Sequence, residues 1–123
     1  MGLQTEIVDQ VRALVAGEEN VVANLANTSA LLMSATSWHW VGFYLVDQAK
    51  NELVLGPFQG PVACTRLSMG RGVCAKSWAL SETIVIDDVE SFEGHIACSS
   101  LSKSEVVVPI LYDEVVVGVL DVD

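Results

Sequence analysis

Positive charge is scarce in this chain. Six Lys and Arg residues stand against sixteen Asp and Glu, for a net charge of −10. The six are scattered and form no basic cluster, and a phosphate backbone is repelled by such a field, so no nucleic-acid partner is expected. Long apolar runs are missing as well. No stretch reaches the roughly 18 residues needed to cross a bilayer. The start, Met1-Gly2-Leu3-Gln4-Thr5-Glu6, has neither the basic nor the apolar block of a signal peptide, and Glu6 sits where a myristoylation signal wants Ser or Thr. A cytoplasmic protein without a membrane partner is the expectation. Cysteine is sparse: three residues, an odd number, with no CxxC pair. A disulfide framework, a thioredoxin-type motif and a zinc knuckle are therefore not indicated.

What is present reads as a single folded domain. Hydrophobic residues make up 51% of the 123 and charged residues 18%, too apolar for disorder. No internal repeat or linker divides 1–123. Apolar spacing predicts a helix over 5–16, with Ile7, Val8, Val11, Leu14 and Val15 on one stripe. Gly17 punctuates, and a second helix follows from about 18 to 33. The sequon Asn27-Thr28-Ser29 falls inside it and is read as chance. From Trp40 to Val46 the aromatic and β-branched content predicts a strand, returning after a polar turn over Glu52 to Leu55. Gly56-Pro57-Phe58-Gln59-Gly60-Pro61 reads as a loop. A short strand carrying Cys64 is expected over 62–67, a helix over 73–80 and a strand over 83–86. Residues 87–103 form a long polar connection, of a length usually reserved for function or disorder. Two strong strands close the chain, over 105–112 and 115–122. The order predicts an α+β fold: an antiparallel sheet with N-terminal helices on one face and one inserted short helix.

Cysteine carries the candidate chemistry. Cys64, Cys74 and Cys98 each fall near a loop or an element end. A buried, inert thiol is the ordinary fate of a free cysteine. A dispersed zinc site of Cys64, Cys74, Cys98 and His95 has suitable ligand types, but spacings of 10 and 24 residues between the cysteines give it no support, and no metal is expected. Cys98 has the better case as a nucleophile. It lies in Gly94-His95-Ile96-Ala97-Cys98 with Ser99, Ser100 and Ser102 after it, and such a loop or helix start can hold a lowered thiol pKa. His95 could add positive charge or simply pack. Glu105 opens an otherwise apolar strand. Asp121 and Asp123 are i and i+2 on the last strand, so their carboxyls share a face. Such a pair can bind an ammonium group or retain a proton through mutual repulsion, or merely be solvated. Trp40, Phe43 and Tyr44 fit either a core or a pocket wall.

Taken together, the segments resemble a known family. They are Asn24-Leu25-Ala26-Asn27-Thr28-Ser29-Ala30-Leu31-Leu32, Trp40-Val41-Gly42-Phe43-Tyr44, Leu55-Gly56-Pro57-Phe58-Gln59-Gly60, Ala63-Cys64, Gly70-Arg71-Gly72-Val73-Cys74, Gly94-His95-Ile96-Ala97-Cys98, Ser104-Glu105 and Gly118-Val119-Leu120-Asp121-Val122-Asp123. In order and spacing this is similar to free methionine-R-sulfoxide reductase, an enzyme built on a GAF domain. The resemblance implies a GAF-like fold and free methionine-R-sulfoxide as substrate. Cys98 matches the catalytic cysteine, Cys64 the resolving one and Cys74 an auxiliary thiol, with thioredoxin as reductant in a response to oxidative stress. Glu105, Asp121 and Asp123 match the residues that hold the substrate and protonate its oxygen. Trp40 and Tyr44 match aromatics lining the methyl-sulfoxide pocket. No metal or organic cofactor is implied. The alternative is a GAF module that binds a small molecule without turnover. The family continues past the second aspartate into a terminal helix. Ending at Asp123, the chain is expected to be C-terminally short and to fray there, with a second copy as one way to complete it.

Overall fold

The computed structural model describes residues 2–88 and 104–123. Helix α1 spans Gly2–Val15. Of its predicted stripe, Ile7, Val11 and Val15 are half-buried, spaced i, i+4 and i+8, while Val8 and Leu14 face solvent. Gly17, at φ +83°, ends the helix in a conformation that suits glycine. Helix α2 spans Val21–Ala35, three residues later in its start than the pattern predicts. The cause is local capping. Asn20 Oδ1 accepts from Ala23 N at 2.9 Å, and Glu18 Oε2 accepts from Asn20 N at 2.8 Å, so Glu18 and Glu19 stay outside.

Six strands form one sheet in the order β3-β2-β1-β6-β5-β4, with every neighbouring pair antiparallel. They are β1 Val41–Asp47, β2 Glu52–Gln59, β3 Arg66–Ser68, β4 Ile84–Ile86, β5 Glu105–Tyr112 and β6 Val115–Val122, with helix α3 at Gly72–Leu80. The last two strands occupy the residues the pattern predicts. β2 does not: it runs on through the Gly-Pro segment expected to be a loop. A register shift against β1 between Gly42 and Tyr44 absorbs Gly56 and Pro57. A bulge tolerates a proline that a regular ladder would reject. β3 is shorter and later than expected, which leaves Cys64 in the loop before it.

The strand alternation covers both faces of the sheet. Trp40, Tyr44, Leu53, Val107 and Val119 pack with Val73 and Cys74 of α3. Val41 and Phe43 are buried on the opposite side, where α2 packs on β1 and β2. Ser29 ties that layer together. Its hydroxyl donates to Leu25 O at 2.8 Å and lies 3.3 Å from Pro57 O. This is the α+β architecture expected. The backbone of Asp123 is paired: its N–H donates to Trp40 O at 2.9 Å, and its carbonyl accepts from His39 N at 2.9 Å and Trp40 N at 3.2 Å. Those bonds hold the end of β6 against the chain leading into β1.

Candidate active site

The site lies where α3 meets β5 and β6. Gly70 and Gly72, both at φ +84°, turn the chain into α3, and Cys74 falls in its first turn facing the sheet. On the sheet, Val107 pairs with Asp121 across the β5–β6 ladder. Two residues before Val107 on the same face is Glu105, and two residues after Asp121 is Asp123. The ladder therefore gathers three carboxyls beneath Cys74.

These groups are withdrawn from water. Cys74 is 3% exposed, Asp121 6% and Glu105 8%. Cys74 Sγ lies 3.9 Å from Glu105 Oε2. One donor atom each from Cys74, Glu105 and Asp121 all fall within 4.8 Å of one another. Asp121 Oδ1 is buried with no hydrogen-bond partner among the described residues. Burial raises the Asp121 carboxyl well above its usual range, and the adjoining Glu105 and Asp123 add to this. Burial likewise raises the Cys74 thiol, and Asp121 and Glu105 push it further. In such a cluster a carboxyl keeps a proton that an exposed one would lose.

Tyr44 stands beside these acids, and Trp40 packs against Tyr44. Burial and then the charges of Cys74, Asp121, Asp123 and Glu105 hold the Tyr44 phenol well above its ordinary pKa, so it stays neutral. Its hydroxyl donates to Cys64 O at 2.7 Å. Trp40 stacks on Tyr44 at 6.1 Å and on Phe58 at 5.1 Å between ring centroids, and its indole N–H donates to Pro61 O at 3.0 Å. Cys64 packs against the same cluster and is disulfide-bonded. Cys98, His95 and most of the long connection lie outside the described residues. The arrangement can hold a cationic group on its carboxyls, retain a proton among them and present aromatic faces to an apolar one. Sequence reasoning missed the place of Cys74. It sits among the carboxyls, in a contact between residues 31 apart in the chain that no local pattern announces.

Comparisons with known proteins point the same way. The GAF domain profile matches residues 6–123. "GAF domain-containing protein A" of Dictyostelium discoideum is 56% identical over 117 residues, covering 95% of this chain and 73% of that protein. "Free methionine-R-sulfoxide reductase" of Escherichia coli (strain K12) is 50% identical over 112 residues, covering 90% of this chain and 67% of that one. The crystal structure of free methionine-R-sulfoxide reductase from Neisseria meningitidis, in complex with its substrate, superposes with a TM-score of 0.95 at 56% identity. That match covers 97% of this chain and 71% of the other.

Proposed function

The chain belongs to the GAF domain family, among the free methionine-R-sulfoxide reductases, and from that premise we propose that it reduces free L-methionine-(R)-sulfoxide to methionine. The observation that carries this reading is the buried Asp121 carboxyl beside Glu105, with one oxygen left without a donor among the described residues. A free amino acid brings an ammonium group that such carboxyls can bind. A peptide-bound methionine has none, which gives a physical reason for a free substrate.

Cys98 attacks the sulfoxide sulfur as a thiolate. A carboxyl of the Asp121 and Asp123 pair delivers a proton to the departing oxygen. The oxygen then passes from the methionine sulfur to the Cys98 sulfur as the bond between the two sulfurs breaks, so methionine leaves as the thioether and Cys98 is left as a sulfenic acid. The Cys64 thiol condenses with that sulfenic acid, releasing water and forming a disulfide. The disulfide-bonded state of Cys64 supports this role. A dithiol such as thioredoxin restores both thiols. Cys74 serves as an auxiliary thiol, Trp40 and Tyr44 wall the methyl-sulfoxide pocket, and no cofactor takes part.

The test is to treat the reduced protein with free methionine-R-sulfoxide, alkylate it and map disulfides by mass spectrometry. A Cys64–Cys98 link together with methionine release is the expected result, and Cys98→Ser abolishes both. Methionine formation that survives Cys98→Ser would sink the assignment. Ligand binding without any thiol oxidation would make the chain a non-catalytic binding module.

A further inference from the structure

The trio of Cys74, Glu105 and Asp121 is more than a source of protons. It offers one soft and two hard donors from three separate elements, α3, β5 and β6, converging on one point. We infer that Cys74, Glu105 and Asp121 form a binding site for a thiophilic divalent cation of the Zn2+ class, at the place where the substrate's ammonium group would sit.

Three observations carry this. The first is spacing. In a tetrahedral zinc site with ordinary bond lengths, neighbouring sulfur and oxygen ligands lie roughly 3.5 Å apart. Here the thiol and the Glu105 carboxylate are 3.9 Å apart, and no pair in the trio exceeds 4.8 Å. Only a small inward movement closes the set around an ion. The second is Asp121 Oδ1, which is buried with no hydrogen-bond partner among the described residues, although the carboxyl as a whole hydrogen-bonds to Glu105 and Cys74. Burial without a donor costs free energy that a cation would offset. The third is the kind of ion the site excludes. Mg2+ holds its water shell and prefers oxygen, and Ca2+ wants six to eight oxygens. A buried cluster of one sulfur and two carboxylates suits neither and fits Zn2+ or Cd2+. On binding, Cys74 gives up its thiol proton to solvent, as does any carboxyl still protonated, and no electrons move.

The claim that cation and substrate compete rests on the proposed function, whereas the claim of the cation site does not. Cadmium titration of the reduced Cys64→Ser/Cys98→Ser chain separates the two. In that background Cys74 is the one thiol left. One Cd2+ per chain is expected, with a near-ultraviolet thiolate-to-cadmium absorption band. Adding Cys74→Ser removes the band. Asp121→Asn and Glu105→Gln each weaken cadmium affinity by about tenfold or more, a loss that even an outer partner of a metal ligand can produce. Either carboxamide variant suffices if the other fails to melt cooperatively. Excess Mg2+ leaves the band in place. Absence of a band, displacement by Mg2+, or affinity unchanged in the folded carboxamide variants would overturn the site. Free methionine should displace Cd2+ more effectively than an equal concentration of glycine, which chelates the metal comparably. Equal displacement by the two would count against shared occupancy and so against the proposed function, while the band itself upholds the cation site.

Discussion

Asp121 lies in the candidate site, and its burial is also a cost to the fold that holds it. Its carboxyl is 6% exposed and lies beside Glu105 and Asp123. Its folded pKa is raised above the unfolded value, so the contribution to stability is fully present below about pH 4 and is lost as pH climbs toward the raised folded value. At pH 8 a buried carboxylate is therefore a liability. Asp121→Asn should raise Tm at pH 8 by several degrees, an effect of about 1–2 kcal/mol, and flatten the dependence of Tm on pH. In the proposed reaction the same change removes a proton donor and should lower kcat/KM by about 10²- to 10⁴-fold. Thermal melts at pH 5 and pH 8 together with initial rates check both halves. A Tm that falls at pH 8 would show that the Asp121 carboxylate stabilises the native state. The shared face of Asp121 and Asp123 could be read from the sequence, because strand period is local. The contact with Cys74 could not, because it depends on how α3 lies across the sheet.

At the scale of elements, the β5–β6 hairpin was the most legible part and also holds the strangest backbone. Tyr112 pairs with Val115, leaving Asp113 and Glu114 as a two-residue turn at φ +50° and +67°. The first position takes Asn, Asp or Gly and the second wants Gly, and a left-handed conformation costs a residue such as Glu114 about 1–2 kcal/mol. Replacing Asp113-Glu114 with Asn-Gly should raise Tm by several degrees and leave kcat unchanged, since the turn lies at the end of the hairpin away from Glu105 and Asp121. An unchanged Tm would mean that the turn already relaxes without strain. β2 was misread for a related reason. Gly56 and Pro57 signal a loop in isolation, but here they fill the bulge opposite β1. The same register explains Gly42: a Cβ there would stand 2.3 Å from Phe58 Cβ and 2.8 Å from the Trp40 ring. Only glycine lets β1 and β2 approach closely enough for Trp40 to stack on Phe58. Chain order cannot show that, because it is a property of the pair of strands.

At the scale of the whole molecule two kinds of negative charge have to be kept apart. The chain carries −10 overall, and Asp9, Asp47 and Glu52 are among the charges that meet solvent or Arg residues at the surface. Surface repulsion acts through water and is screened by salt over about 10 Å at 0.1 M. The Asp121 cluster lies between α3 and the sheet, where screening is much weaker. Raising NaCl from about 0.02 to 0.5 M should therefore raise Tm, because it relieves the self-repulsion of an acidic chain. The increment should be the same in the wild type and in Asp121→Asn, so that the gain from the substitution survives in high salt. If salt instead erases that gain, the Asp121 carboxylate is reached by solvent ions. The pocket would then be open to water, and the reasons given for its retained proton would fail with it. If the two increments match, the acidity of the site is insulated from that of the surface. The fold then keeps a protonated carboxyl inside a strongly negative molecule by placing it beneath Cys74 and α3 and beside Tyr44.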